Sequence, residues 1–402
     1  MSTMEWIFWI SAAIIAYVYV GYPALLRVWA RLAGARVDRR PDSRSTPGVS
    51  IVIAARNEAA RLPARIDNLL ALDYPPDRRQ IIVVSDGSTD DTAAVLRKRA
   101  PRVEVVEVPH GGKAAALNAA RDRVRFDIVV FADARQVFAR DALRELVAPF
   151  EDPTVGGVTG ELLLDCESAL FSNRRDLADR RRGHAGQLRA AAIERRVHPD
   201  RRRSIVSTIA DGVGMYWRYE KDLRRLESAI ASTLGATGAI YAVRRALWQP
   251  LPPDTLLDDV LTPMRVVLAG YRVVFNERAR AFDRAEADAD AESRRKVRTL
   301  AGNYQILWLE PRLLLPWQNP VWLQYLSHKV GRLAVPYALV ALLFANMAVA
   351  TTHVIYQAAL VAQVAFYLLA GYGAVLELSS RRHAQAASAP SSPAAEAAKG
   401  AA

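Results

Sequence analysis

Residues Trp6 to Leu26, WIFWISAAIIAYVYVGYPALL, carry no charged side chain. A helix rises about 1.5 Å per residue, so about 20 such residues cross the roughly 30 Å of bilayer hydrocarbon. The preceding MSTME lacks the basic region of a secretory signal, and the run is long for one with no small-residue cleavage site. It therefore reads as a retained membrane helix within residues 1–30. Leu333 to Ala350 and Val354 to Val375 are two further apolar runs separated only by TTH, and they read as a helical hairpin over 333–375.

The charges that flank these runs orient them. Arg27, Arg31, Arg36, Arg39 and Arg40 follow the first, Lys329 and Arg332 precede the second, and Arg381 and Arg382 follow the third. The positive-inside rule then predicts an inner or plasma membrane protein whose central region and C-terminus are cytoplasmic and whose N-terminus is external. The lone Cys166 forms no intrachain disulfide, which is compatible with a reducing compartment. The segment 384–402, AQAASAPSSPAAEAAKGAA within it, is low in complexity and reads as a disordered tail.

Between the apolar runs, 49–290 is long enough for one domain. VSIVIAARNEAARL begins as an apolar strand, stops at Arg56-Asn57-Glu58, and continues with Leu62, Ile66, Leu69 and Leu70 on one helical face. IIVVSDGSTDDT repeats the plan, as do VEVVEV before HGGKAAALNAA and DIVVFADA before ARDALRELVAPF. This alternation predicts an α/β, Rossmann-like domain with a mostly parallel sheet, helices on both faces, and a ligand site beyond the carboxyl ends of the strands.

Acids stand at those ends. As geometry, DGSTDDT is a strand-to-helix turn in which Gly87 takes an unusual φ and Ser88 or Thr89 caps the helix. That leaves Asp86 unexplained, and Asp133 ends its strand in the same way. An acid so placed beside phosphates suits a hard divalent cation. Gly111, Gly112 and Lys113 at a helix start suit a pyrophosphate. The spacing is neither a Walker A loop nor GxGxxG, which argues against a nicotinamide cofactor. No HExxH or paired-cysteine pattern suggests zinc.

The ordered set AARNE, DGSTDDT, GGKAAALN, FADAR, GATGAIYAVRR and LLDDVLTPMRVVLAGYRVVF resembles the family 2 inverting glycosyltransferases of GT-A fold. The resemblance is to the membrane-bound branch that includes cellulose, hyaluronan and poly-N-acetylglucosamine synthases, and it covers about Val49 to Gln305. It implies a GT-A nucleotide-diphospho-sugar transferase domain flanked by one N-terminal and two C-terminal membrane helices. It implies that Ala55 and Glu58 line the nucleoside pocket, that Asp86 binds the uracil or ribose region, and that Lys113 lies near the nucleotide. Asp133 is then the first acid of the metal-binding DxD motif, for Mg or Mn, and Asp259 the catalytic base. Asp258, Thr237 and Gly238 fall on the acceptor side. Without that resemblance, Asp258 and Asp259 read as a helix N-terminal acid pair that complements the macrodipole.

The implied partners are a nucleotide-sugar donor, most simply a UDP-sugar, a polysaccharide or lipid-linked acceptor, and the membrane. Oligomers or partner subunits are compatible with this picture, and nucleic acid is not implied. The chain departs from the family in two places. Arg135 replaces the second DxD acid, and a guanidinium cannot ligate a cation. QxxRW becomes Arg295-Lys296-Val297-Arg298-Thr299, which keeps Arg298 as a pyrophosphate contact but loses the residues associated with a growing polymer. Arg135 also sustains an alternative, a catalytically weak nucleotide-sugar-binding membrane component of a polysaccharide assembly complex.

Two further features are open to two readings, and a third has one. Trp217, with Tyr216 and Tyr219, reads as core or as a platform for an acceptor sugar. The insertion 174–203 sets eleven arginines against four acids in a chain of net charge +12. It is a solvated insertion or a contact for an anionic leaflet. Residues 291–330 read as amphipathic and interfacial, with Trp317 and Trp322 near a membrane boundary.

Overall fold

The computed structural model describes residues 1–32, 45–99, 102–164, 218–283 and 289–388. Trp217, Cys166, the arginine-rich 174–203 and the tail beyond 388 lie outside the described residues. The chain forms two compact units. The larger comprises Val20–Ala287 with Arg294–Leu333, and the smaller comprises Met1–Tyr19, Asp288–Ser293 and Ala334–Ala402.

An eight-stranded sheet organises the larger unit: β1 (Val49–Ala55), β2 (Arg79–Asp86), β3 (Glu104–Val108), β4 (Ile128–Ala132), β5 (Val137–Phe138), β6 (Val155–Leu164), β7 (Ile240–Arg244) and β8 (Arg272–Asp283). Their order is β3-β2-β1-β4-β7-β6-β8-β5. The first four are parallel, as the strand–helix alternation predicts. The other half is mixed. β7 runs antiparallel to β4 and β6, β6 is parallel to β8, and β5 is antiparallel to β8. The expected mostly parallel sheet is thus parallel only over β1–β4.

Side-chain alternation places a core on each face. Ile51, Ile53, Ile81 and Val83 join Leu62, Ile66, Leu69 and Leu146 on one side. Val52, Ile82 and Val84 join Leu117, Leu261 and Met264 on the other. Strands buried on both faces read as continuous apolar runs, which is why IIVVS and IVVFA are recognisable in the sequence. In helix Leu62–Leu70, Pro63 opens the first turn, where its missing N–H costs no bond.

Among the described residues, three helical stretches are long and apolar enough to cross a membrane: Thr3–Leu32, Trp322–Val349 and Val354–Gly373. In the smaller unit, Ser2 and Glu5 form a reciprocal capping box on the first of these. Phe8 there packs with Ala345, Val349 and Tyr356. The second stretch starts earlier than the apolar run suggests, because Gln324, Ser327 and His328 are buried within it.

Candidate active site

The loops after β1 and β2 are tied together by side chains. Asn57 sits at φ 55°, a left-handed conformation that Asn tolerates. Its Oδ1 accepts the Thr89 N–H at 2.8 Å, and its own N–H donates to Ser88 Oγ at 3.2 Å. Asp90 accepts the N–H groups of Thr92 at 3.0 Å and Ala59 at 3.2 Å. Ser88 and Thr89 therefore link to Asn57 rather than cap the helix as expected, and Asp90 serves that helix start. Gly87 does take φ +56°, and a Cβ there would lie 2.6 Å from the His110 nitrogen.

Asp86 is buried at the end of β2. Its Oδ1 accepts the Gly111 N–H at 2.7 Å, its Oδ2 accepts the Gly112 N–H at 3.0 Å, and His110 Nδ1 lies 3.0 Å from Oδ2. This answers what stabilises an acid at a buried strand end: two backbone donors and an imidazole satisfy its oxygens. It also corrects the expectation that the Gly111 and Gly112 amides cradle a pyrophosphate, because Asp86 already occupies them. The loop's cation, Lys113, is aimed elsewhere. Ala55 closes β1 beside Ser85. Glu58 pairs with Arg61 at 3.0 Å, and its N–H donates to Thr92 Oγ1 at 2.9 Å.

Lys113 links the carboxylates. Its Nζ is 3.2 Å from Asp133 Oδ1 and 3.1 Å from Asp258 Oδ1. Burial opposes its charge, but Asp133, Asp258 and Asp259 outweigh burial and raise its pKa above the usual lysine value. Asp258 is buried and accepts the Tyr241 hydroxyl at 3.3 Å. Burial first, then Asp258 and Asp259, raise the Tyr241 pKa well above its ordinary value, so the phenol stays a donor. Tyr241 stacks on Phe131 at 4.6 Å between ring centroids, which fixes its aim.

Asp259 stands one residue further along helix Asp258–Leu268. Its carboxylate Oδ2 accepts the Gly238 N–H at 3.2 Å, and a Cβ on Gly238 would lie 2.8 Å from that oxygen. Its carbonyl accepts the Ala236 N–H at 2.7 Å. Helical hydrogen bonding would normally give that carbonyl to the N–H of residue 263, which is Pro263 and has none. The proline therefore frees the carbonyl that anchors the loop before Gly238. Burial, followed by repulsion from Asp258, pushes the Asp259 pKa up to about 6, with Lys113 acting in the opposite direction. A carboxyl tuned toward neutrality suits a general base.

Thr237 completes the loop. Its N–H donates to Thr159 Oγ1 at 2.8 Å, and its Oγ1 accepts Arg224 Nη1 at 2.7 Å. Arg224 lies in the helix over 218–230, and burial lowers its pKa despite the surrounding acids. Arg135 points to β8, where its Nη2 is 3.0 Å from Asp283 Oδ2 and Gln136 Nε2 donates to the same oxygen at 3.0 Å. The residue that replaces the second DxD acid thus clamps the β4–β5 turn to the end of β8. Arg298 is exposed on helix Ala289–Leu309.

Among the described residues, no group of three or more His, Cys, Asp or Glu side chains forms a metal cluster. Asp133 is part-exposed at a strand end, so the donor set fits a cation that takes its other ligands from a diphosphate and water. It does not fit a cation caged by protein alone. Of the residues singled out in the sequence, the structure brings Lys113, Asp133 and Asp258 into contact and sets Asp259 against Gly238, beside Thr237. The sequence reading missed Tyr241, which lies in the quoted GAIYAVRR, and Arg224, which no short motif marks.

A mixed sheet whose parallel half presents acids beyond β2 and β4 is the Rossmann-like GT-A architecture. Residues 50–224 match Glycosyl transferase family 2. The mannosyltransferase PcManGT from Pyrobaculum calidifontis, solved in complex with GDP-Man and Mn2+, shares the fold. Its TM-score is 0.63 at 24% identity, over 90% of this chain and 92% of that one. Beta-monoglucosyldiacylglycerol synthase from Synechocystis sp. is 36% identical over 32% of this chain and 28% of its own length. Poly-beta-1,6-N-acetyl-D-glucosamine synthase from Staphylococcus aureus is 29% identical over 34% of each chain. The matches thus span about a third of these curated relatives.

Proposed function

We propose that the protein is a membrane-bound inverting glycosyltransferase that moves a sugar from a nucleotide-sugar to a lipid or polysaccharide acceptor at the cytoplasmic face. The observation that carries this reading is Asp259. It is held by Gly238 and Ala236, its pKa is pushed up to about 6, and Lys113 and Asp133 lie on its donor side.

In this reading Asp259 takes the proton from the acceptor hydroxyl as that oxygen attacks the anomeric carbon. The bond to the nucleoside diphosphate breaks on the opposite face, and no covalent enzyme intermediate forms. Lys113 is the cation that meets charge growing on the leaving phosphate. Asp258 positions Lys113, and Tyr241 in turn orients Asp258. Asp86 supports the glycine loop beneath the nucleotide, with Ala55 and Glu58 at the nucleoside. Asp133 would hold a divalent cation together with the diphosphate, and such a cation neutralises the leaving group. The Mn2+ named with PcManGT is in keeping with that assignment. Arg298 remains on the donor side in this reading, and Trp217 on the acceptor side.

The alternative of a catalytically weak binding component rested on Arg135. Its ion pair with Asp283 gives that residue a structural task, while the second DxD position still offers no acid to a cation, so Arg135 continues to favour that alternative. The relatives' names include both a glycolipid synthase and a polysaccharide synthase, and PcManGT was solved with GDP-Man, so the donor base is left open between UDP and GDP. The test is to incubate membranes bearing the full chain with radiolabelled UDP- and GDP-sugars. Label in an extractable lipid or in a polymer supports transfer. Nucleotide binding with no transferred label from any donor contradicts it.

A further inference from the structure

Behind the Gly235–Gly238 loop lies a cavity of about 50 Å³, lined among others by Glu220, Arg224, Glu227, Ala236, His328 and Lys329. Its two acids are already engaged. Glu227 Oε1 accepts the Tyr22 hydroxyl at 2.8 Å and lies 2.6 Å from His328 Nδ1. Glu220 pairs with Arg332 and lies 3.6 Å from His328 Nε2. Burial opposes its ionisation, but the His328 hydrogen bond and Arg332 hold its carboxyl well below the usual range.

The cations are not matched in the same way. Arg224 bonds Thr237 Oγ1 and lies over the Phe275 ring; Glu220 and Glu227 attract its charge, but it forms no ion pair or further side-chain hydrogen bond among the described residues. Lys329 is half-buried and makes no hydrogen bond or ion pair with any described residue. Glu220 and Glu227 attract that ammonium across the cavity, but each is already bonded to another cation or to His328, so Lys329 is left with donors free for an anion from outside the chain.

Size and position narrow that anion. About 50 Å³ holds a few waters, hence one small tetrahedral oxyanion and not a sugar ring. Lys329 lies near the start of the membrane-crossing candidate Trp322–Val349, and Trp317 is 76% exposed just before it. Tryptophan favours the headgroup layer of a bilayer. Arg224 touches Thr237, one residue from the Gly238 that holds Asp259.

We propose that Arg224 and Lys329 bind a phosphate oxyanion, and that it belongs to the head of the acceptor lipid, whose hydroxyl it thereby seats at Asp259. The lipid half of this inference rests on the glycosyltransferase reading. The oxyanion site itself does not, and free phosphate presents the same chemistry.

The test is calorimetry on the full chain in detergent with three probes: dihexanoyl phosphatidic acid, uncharged dihexanoylglycerol and inorganic phosphate. Wild type should bind the phosphatidic acid about tenfold or more tighter than the uncharged lipid. Lys329→Met and Arg224→Gln should each remove about tenfold of that affinity, while Lys329→Arg keeps it within about threefold. UDP and GDP affinities within about twofold of wild type identify each variant as folded, with Arg224→Lys as the substitute if Arg224→Gln misses that standard.

Inorganic phosphate that binds as tightly as the lipid keeps the oxyanion site and overturns its assignment to a lipid. Equal affinity for charged and uncharged lipid in wild type, together with no phosphate binding, overturns the proposal. So does phosphatidic acid affinity that survives both substitutions. A failed donor screen beside intact, Lys329-dependent phosphate binding sinks the glycosyltransferase reading alone.

Discussion

The backbone N–H of Ala236 donates to the carbonyl of Asp259 at 2.7 Å, a bond available because Pro263 brings no competing N–H to that carbonyl. A residue four positions along the helix thus fixes the loop that faces the acid. Restoring a donor with Pro263→Ala should stabilise the helix yet loosen the loop. Transfer should fall by roughly 3- to 10-fold with no loss of thermal stability. Rates and melting curves on one preparation check this, and a wild-type rate contradicts the anchoring role.

Gly238 comes so close to Asp259 that a methyl group has no room, since its Cβ would lie 2.8 Å from Oδ2. Gly238→Ala should displace the carboxylate and lower kcat by roughly 10- to 100-fold, with donor nucleotide affinity retained. Nucleotide titration beside a transfer assay separates the two effects. Equal losses in both would place Gly238 in the donor site.

The Asp259 carboxyl, with its pKa pushed up to about 6 by burial and Asp258, predicts the pH dependence. Below that value it is protonated and accepts no proton, so kcat/KM should fall about tenfold per pH unit on the acid side and level off above it. Asp258→Asn removes a repelling charge and should move the acid limb to lower pH. Lys113→Met removes an attracting one and should move it to higher pH. Shifts in the opposite senses, read from pH–rate profiles, would contradict this electrostatic account.

Glu227 is 1% exposed and serves both Tyr22 and His328. Glu227→Ala strands a hydroxyl and an imidazole in the interior and should cost about 3 kcal/mol, seen as a clear fall in melting temperature. An unchanged melting temperature would show that the pair contributes little.

Legibility in the sequence followed locality. β1, β2 and β4 were visible because strands buried on both faces are unbroken apolar runs, and Leu62, Ile66 and Leu69 because a helix repeats its buried face. Asp133 and Lys113 stood out because each lies at a strand end or helix start inside a short motif, whereas Asp259 was singled out by the family resemblance, its position alone reading as part of a helix N-terminal acid pair. β6, β7 and β8 were not read as strands, since their pairing joins segments far apart in the chain. Glu227 and His328 are 101 residues apart, and no periodicity links them. The engagement of the Gly111 and Gly112 amides by Asp86 was hidden for the same reason, because it depends on β2 and β3 lying side by side.

The central claim is that Asp259 is the base of a sugar transfer whose donor site lies around Lys113 and Asp133. Asp259→Asn keeps the side chain's size but cannot take the acceptor's proton, so the direct measurement is transfer of radiolabelled sugar by this variant beside calorimetry of its nucleotide. Transfer should fall by roughly 10² to 10⁴ with nucleotide affinity little changed, whereas Asp133→Asn should lose nucleotide affinity. A wild-type transfer rate in Asp259→Asn, or a loss of nucleotide affinity as severe as that of Asp133→Asn, would contradict the assignment.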